Sequence, residues 1–342
     1  MQHVCFTEYG EPSDVLQCGD THGAKPGRGQ VHVRMIASPI NPSDLMFIRG
    51  QYGVKATFPQ TPGFEGVGVV TESGGGLRGR LFQGKRVVVL NRKGGNWAQS
   101  VVVPAENVVP VSSKLSDFQA ATSFVNPMTA WVMTQEILGV PSGAWLIQTA
   151  AASSLGRMVI RLCEHLGIPT LNIVRSQHSE DLLRNEGVAN VLRFDPEHSD
   201  PDQLCRFVAE RAGPPGVGYA IDPVGGVTAA QLLRCLRPCG RLLLYGTLSN
   251  EPLVISPRDL MTRQIRVDGF WLGNFMDQCR LLKKLRLIRR VTDLISRGIL
   301  PTHVQQTFPL SEIRQAVLTA ESSENSGKVL LMMTEPQETS RQ

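Results

Sequence analysis

No CxxC pair, no histidine or cysteine cluster at metal-ligand spacing, no long apolar run and no dense lysine-arginine block occur in this 342-residue chain. Each absence removes a class. The seven cysteines, odd in number and scattered from Cys5 to Cys279, make no disulfide framework and point to a reducing compartment. Without about twenty consecutive apolar residues, no transmembrane helix is expected. The net charge of +5 is modest. It lacks the clustered basic and aromatic residues of a nucleic-acid surface and suits an anionic cofactor or substrate. MQHVCFTEYGEPSDVL runs straight into a strand and turn, so no leader peptide is expected and a cytoplasmic enzyme is the simplest reading. Internal repeats and low-complexity tracts are missing too.

What remains is ordinary globular composition, 42% hydrophobic and 19% charged. The length exceeds what one core usually spans, so two domains are expected. Residues 1–116 are β-rich: VHVRMIASPI, GVGVVTES, KRVVVL and WAQSVVVP are short β-branched runs between Gly/Pro turns, which suggests a partly open barrel. After Pro110 the pattern becomes helical, from a cap at Ser116 or Asp117 through DFQAATSFVNPMTAWVMTQEIL, with a break at Asn126-Pro127.

Strands and helices then alternate, the sequence form of a doubly wound parallel sheet. DLLRNEG, QLCRFVAERAG and AAQLLRCLRPCG read as helices; NVLRF, GYAID, RLLLYGTL and IRVDGFWL read as strands. CRLLKKLRLIRRVTDLISRG is a helix with a solvated basic face. QQTFPLSEIRQAVLTAESSENSGKVLLMM is expected to return to the first domain, and the polar tail TEPQETSRQ to lack fixed structure. The expected architecture is α/β: a Rossmann domain, 117–300, inserted in a β-rich GroES-like module, 1–116 plus 301–342.

Ala144 to Arg175 is the segment most informative about function. It is an apolar strand, a turn of tiny residues closing on Gly156, an amphipathic helix, a Gly-Ile-Pro break and a second apolar strand. This is a βαβ unit of the dinucleotide-binding kind with an eroded fingerprint: Ala151 and Ser153 replace the first two glycines and only Gly156 remains. Small residues still let a backbone approach a pyrophosphate at a helix N-terminus. The second strand ends in Arg175, with no carboxylate to hold a ribose 2′-OH, and an Arg there accommodates the 2′-phosphate of NADP.

With INPSD at 40–44, PGFEGVGVV at 62–70 and NPMTAW at 126–131 on this scaffold, the chain resembles the medium-chain dehydrogenase/reductase superfamily over essentially its whole length. The zinc alcohol dehydrogenases of that superfamily carry a Cys in the NPSD segment and a His in the GFE segment. Here Ser43 and Phe64 stand nearby, Glu65 alone does not complete a three-ligand site, and TESGGGLRGRLFQGK has no cysteine for a structural zinc lobe. A zinc-independent member, with no metal site, is expected.

GQYG at 50–53, NPMTA, NIVRS, DPVGG at 222–226, YGTL at 245–248 and GFWL at 269–272 are similar, in joint order and spacing, to the 2-enoyl thioester reductases of the mitochondrial type. That resemblance implies Tyr52 as proton donor, with Asn41 and Thr129 positioning nicotinamide or substrate. It also implies an NADPH site lined by Asn126, Ser153, Ser154, Leu155, Gly156, Arg175, Ser176, Gln177, Tyr245, Gly246, Thr247, Leu248, Phe270, Trp271, Leu272, Gly273 and Lys328. Two departures are noted: Ala152 and Ser154 stand where relatives often carry Asn or Gly, and Gly273-Asn274 where they have more polar or aromatic residues.

The chemistry asks for such a set. Hydride addition to an enoyl β-carbon spreads negative charge to the carbonyl oxygen and α-carbon, so the protein must supply an oxyanion donor and an acid. A Tyr, with an ordinary pKa near 10, is protonated at neutral pH and can serve. Between two glycines, Tyr52 is either that acid or a loop aromatic packing its ring over the module edge. His165, His178, His198 and His303 read as structural or solvated, and Cys235 and Cys239 as buried free thiols. Trp271 is either a pocket wall or a core filler. Pairing of the IRVDGFWL edge with a two-fold mate predicts a homodimer. A quinone or alkenal reductase without a dedicated proton donor, and a non-catalytic NADPH-binding or sensor protein, are the competing functions.

Overall fold

The computed structural model describes residues 1–200, 202–322 and 327–333, and the tail TEPQETSRQ lies outside the described residues. The chain divides into two compact units, Met1–Val125 with Thr302–Gln342, and Asn126–Pro301. Among the described residues no helix is long and apolar enough to cross a membrane.

In the first unit the β-branched runs pair into a seven-stranded sheet. Its order is Val304–Pro309, Lys328–Met332, Gln30–Pro39, Glu65–Ser73, Arg86–Leu90 and Val108–Pro110, with Ser100–Pro104 also pairing Gln30–Pro39. Alternation places Val31, Val33 and Met35 inside, each fully buried and worth about 2 kcal/mol of transfer free energy. Lys328–Met332 joins antiparallel to Gln30–Pro39, Leu331 opposite Ser38, so the last described strand pairs with the first strand of this sheet in chain order.

The second unit holds six strands, all parallel, in the order Val191–Arg193, Thr170–Val174, Leu146–Gln148, Val217–Asp222, Leu236–Leu244 and Arg266–Gly269. Numbered within the unit this is 3-2-1-4-5-6, the doubly wound dinucleotide-binding order. Strand order reverses between Leu146–Gln148 and Val217–Asp222, and ligands of such sheets bind outside the strand ends at that switch point. Helix Ser154–His165 packs an apolar stripe of Met158, Val159, Leu162 and Cys163 inward.

Three local expectations are corrected. The helical stretch after Pro110 breaks at Thr122–Phe124, ahead of Asn126-Pro127: Asp117–Ala121 is one helix and Val125–Trp131 the next, running into a π-helical turn at Val132–Ile137. Pro127 falls in a first turn, where its missing N–H is harmless. Helix Gly226–Cys235 stops before Pro238, and the strand starts at Leu236 with a register shift that absorbs left-handed Cys239 at φ 61°. Finally, the strand in IRVDGFWL ends at Gly269, because Trp271 caps a short helix, Leu272–Gln278.

Candidate cofactor and active-site residues

The small-residue turn of the second unit follows strand Leu146–Gln148. Ala150 takes the left-handed conformation, φ 49°, that glycine would take without strain, and Ser153 caps helix Ser154–His165 by accepting from the Gly156 amide at 3.0 Å. Gly156 is irreplaceable here for a steric reason. A Cβ on it would stand 2.5 Å from the Ala151 carbonyl oxygen and 2.7 Å from that of Ala150. The turn therefore keeps the close helix approach of a dinucleotide fingerprint with one glycine.

Beneath it lies a buried polar pair that the sequence reading missed. Gln148 donates through Nε2 to the Gly156 carbonyl at 3.1 Å and to Asn172 Oδ1 at 2.9 Å, both side chains fully buried. Two polar residues at the centres of apolar strands, in LIQT and LNIV, were the available signal. Paired, they lock the helix start to two strands; unpaired, they would be among the costliest groups in the core.

Across the switch point the Thr149 hydroxyl donates to Asp222 Oδ1, while Asp222 Oδ2 accepts from the Gly225 amide at 2.6 Å. Burial raises the Asp222 carboxyl, partly offset by these donors. The loops after the two neighbouring strands are tied together as well. Tyr245 N donates to the Asp222 carbonyl at 3.0 Å, Leu248 N to that of Pro223 at 3.0 Å and Ser249 N to that of Val224 at 2.8 Å. DPVGG and YGTL are thus one built piece, carrying Tyr245, Gly246, Thr247 and Leu248. The Tyr245 hydroxyl is buried with no protein hydrogen-bond partner among the described residues, and burial beside Asp222 raises it.

Arg175 is exposed at the end of strand Thr170–Val174. It makes no ion pair among the described residues, although its charge helps hold the Asp195 carboxyl below the usual range, behind Glu197 and His198. Ser176 caps the next helix, Gln177–Asn185, through the Ser179 amide at 3.1 Å, and Gln177 accepts from Arg193 at 2.8 Å. Asn126 is half-buried and Thr129 buried in helix Val125–Trp131. Phe270 stacks at 6.3 Å from Phe275, Trp271 is exposed, and Leu272 and Gly273 open the following helix.

The first unit holds the other candidates. Tyr52 is half-buried, its ring 5.2 Å from Phe64 at an interplanar angle of 33°. Asn41 precedes helix Pro42–Ile48 and is fixed at both ends of its amide. Nδ2 donates to Glu65 Oε1 at 3.0 Å, and Oδ1 accepts from Lys328 Nζ. Glu65 Oε2 accepts from the Val125 amide at 3.0 Å, and Asp44 accepts from the amides of Asn41 at 2.8 Å and Phe64 at 3.0 Å. Lys328, expected with the cofactor residues, is thus the buried partner of Asn41.

Two carboxylates and one ammonium share this dry cluster. Burial pushes Asp44 up to about 7 against its two amide donors, raises Glu65, and lowers Lys328 against the pull of Glu65 and Asp44. Sequence reading named Asn41 and Lys328 without Asp44, whose spacing three residues after Asn41 is a capping-box signal.

Known proteins resemble this chain throughout. A family model described as an alcohol dehydrogenase GroES-like domain matches residues 27–113, and one described as a zinc-binding dehydrogenase matches 154–286. The mitochondrial enoyl-[acyl-carrier-protein] reductase of Bos taurus is 31% identical over 334 residues, covering 96% of this chain and 88% of its own. A Bacillus thuringiensis protein provisionally designated an NADPH:quinone reductase superimposes with a TM-score of 0.86 at 31% identity, covering 97% and 98% of the two chains. The Escherichia coli quinone oxidoreductase, solved with NADPH, has the same fold, with a TM-score of 0.87 at 22% identity over 97% of this chain and 100% of its own.

Proposed function

The chain belongs to the medium-chain dehydrogenase/reductase superfamily of oxidoreductases, and from that premise we propose that it reduces the 2,3-double bond of trans-2-enoyl thioesters with NADPH. The observation that carries the reading is Tyr52, a phenol held against Phe64 on a glycine-flanked loop in a chain that aligns nearly end to end with an enoyl thioester reductase.

The residues present fit the cofactor. At Gly156 the carbonyls of Ala150 and Ala151 leave no room for a side chain, the close packing that the third glycine of a dinucleotide fingerprint serves, and the buried Tyr245 hydroxyl has no protein partner among the described residues. NADPH held there would supply the hydride. Ser153 to Gly156 would hold the pyrophosphate, and Arg175 would pair with the 2′-phosphate. Tyr245 to Leu248 shape the adjoining loop. Tyr52 gives its phenolic proton to the α-carbon. Asn41, its amide orientation fixed by Glu65 and Lys328, is a pre-set donor for nicotinamide or carbonyl oxygen.

The reaction proceeds without zinc on this reading. Ser43 and Phe64 replace ligand types, and both Glu65 oxygens already accept from Asn41 and Val125. The match to a zinc-binding dehydrogenase model falls on 154–286, away from those positions. A homodimer is proposed as well, since strand Arg266–Gly269 pairs on one side only and ends the sheet.

A quinone or alkenal reductase is the second reading, favoured by the Bacillus neighbour. The deciding experiment is a panel of trans-2-enoyl-CoA, enoyl carrier-protein, quinone and alkenal acceptors with NADPH and NADH in parallel. Turnover of quinones and of no enoyl thioester at any chain length would sink the first reading.

A further inference from the structure

We propose that Cys205 and Cys235 form a peroxide-sensitive dithiol site that closes into an intrachain disulfide. Their sulfurs lie 3.6 Å apart, on helices Gln203–Ala212 and Gly226–Cys235 of the second unit. A disulfide spans about 2.05 Å, so side-chain rotation and a small helix shift bring them together. The sequence reading set Cys235 beside Cys239, but Cys239 is exposed and hydrogen-bonds Gln264, while Cys235 faces Cys205.

The two thiols are unlike, which divides the labour between them. Cys205 is half-buried in the first turn of its helix, where free amides favour an anion, and Cys235 is buried at the end of its helix. Two guanidinium groups flank the pair. Arg234 donates to Asp202 at 2.6 Å and to Gln231 at 3.1 Å, and Arg263 donates to the carbonyls of Leu233, Arg234 and Leu236. The hydrogen bond with Cys235 draws the Cys205 thiol down, against burial and the nearby Asp202 carboxylate and with help from Arg234 and Arg263; the same bond and burial push Cys235 up. Cys205 is therefore the attacking thiolate and Cys235 the resolving thiol. Elsewhere Cys163, buried and pushed up to about 12, offers no comparable nucleophile.

The chemistry balances with hydrogen peroxide as oxidant. The Cys205 thiolate attacks one peroxide oxygen, an S–O bond forms, the O–O bond breaks, and the leaving hydroxide takes up a proton as water. Cys235 sulfur then attacks the sulfenic sulfur; the S–S bond forms, the S–O bond breaks, and the hydroxyl departs with the Cys235 proton as a second water. Two thiols lose two electrons and one peroxide becomes two waters. In a reducing compartment such a bond is transient, as redox-sensing disulfides are.

Full-length protein is treated with equimolar hydrogen peroxide, alkylated, digested and mapped by mass spectrometry, with Cys205→Ser and Cys235→Ser in parallel. The expected result is one cross-linked peptide pair joining residues 205 and 235, two fewer titratable thiols per chain, and recovery by dithiothreitol. Either variant loses the cross-link, and Cys235→Ser retains a dimedone-reactive sulfenic acid at Cys205. The oxidised wild type melts roughly 5 °C or more above the reduced form, because a loop of about 30 residues has been closed. Oxidation that leaves both residues reduced, takes Cys205 to sulfinic acid with Cys235 free, or links chains to each other overturns the proposal.

Discussion

The Thr149 hydroxyl donates to the Asp222 carboxylate across the point where the strand order of the parallel sheet reverses. Two strands adjacent in space and about seventy residues apart in sequence are fastened at the mouth where such sheets bind dinucleotides. Thr149→Val removes the hydroxyl donor and leaves Asp222 with the backbone amides of Gly225 and Val224. We expect a rise of about tenfold in KM for NADPH with kcat changed less, and a stability loss of about 1–3 kcal/mol, from steady-state kinetics and urea unfolding.

Tyr52→Phe keeps the ring on Phe64 and removes only the hydroxyl. Enoyl thioester turnover is expected to fall by about 10²–10⁴-fold with little change in KM for NADPH. Undiminished enoyl turnover would remove Tyr52 as the proton donor.

Gly156→Ala places a methyl against two carbonyl oxygens. Overpacking of this kind costs about 1–3 kcal/mol, and the shifted helix start should weaken NADPH binding, read by thermal melts and fluorescence titration.

Arg175→Glu sets a carboxylate where a 2′-phosphate is proposed to lie and where NAD enzymes hold the ribose hydroxyl. The ratio of kcat/KM for NADPH over NADH should drop by about 10²-fold or more. An unchanged ratio would remove Arg175 from cofactor choice.

Asp44 supplies a pH signature. Its carboxyl is raised to about 7 in the fold and returns to about 3.9 unfolded, so the unfolded state releases the proton first. Stability from this group is complete below about pH 4 and is lost as pH rises toward 7. Asp44→Asn should flatten that part of the profile in urea melts at pH 5, 6, 7 and 8.

Sequence periodicity was enough to show the second unit's architecture, because buried parallel strands are short apolar runs and Gly/Pro punctuate them. The parallel, doubly wound connection follows from that alternation, whereas the strand order does not, since more than one order is built from it. Legibility failed where backbone chemistry competes: Pro127 read as a breaker yet fits a first turn, and CLRPCG read as helix although Pro238 had already ended it. At the site, motifs marked Tyr52, Asn41 and the Gly156 turn. Gln148, Asn172 and Asp44 escaped because each is explained only by a partner distant in space or by burial that composition does not reveal.

Lys328 meets Asn41 across 287 residues of sequence. A chain emerging from the ribosome presents Asn41, Asp44 and Glu65 early, while their cation comes with the last described strand. Until it arrives, two carboxylates face a forming core without a counter-charge, which disfavours early closure of the first sheet. The second unit, Asn126–Pro301, is one contiguous stretch and is free to fold before that strand is made. The buried ammonium is thus the last charge of this cluster to be made.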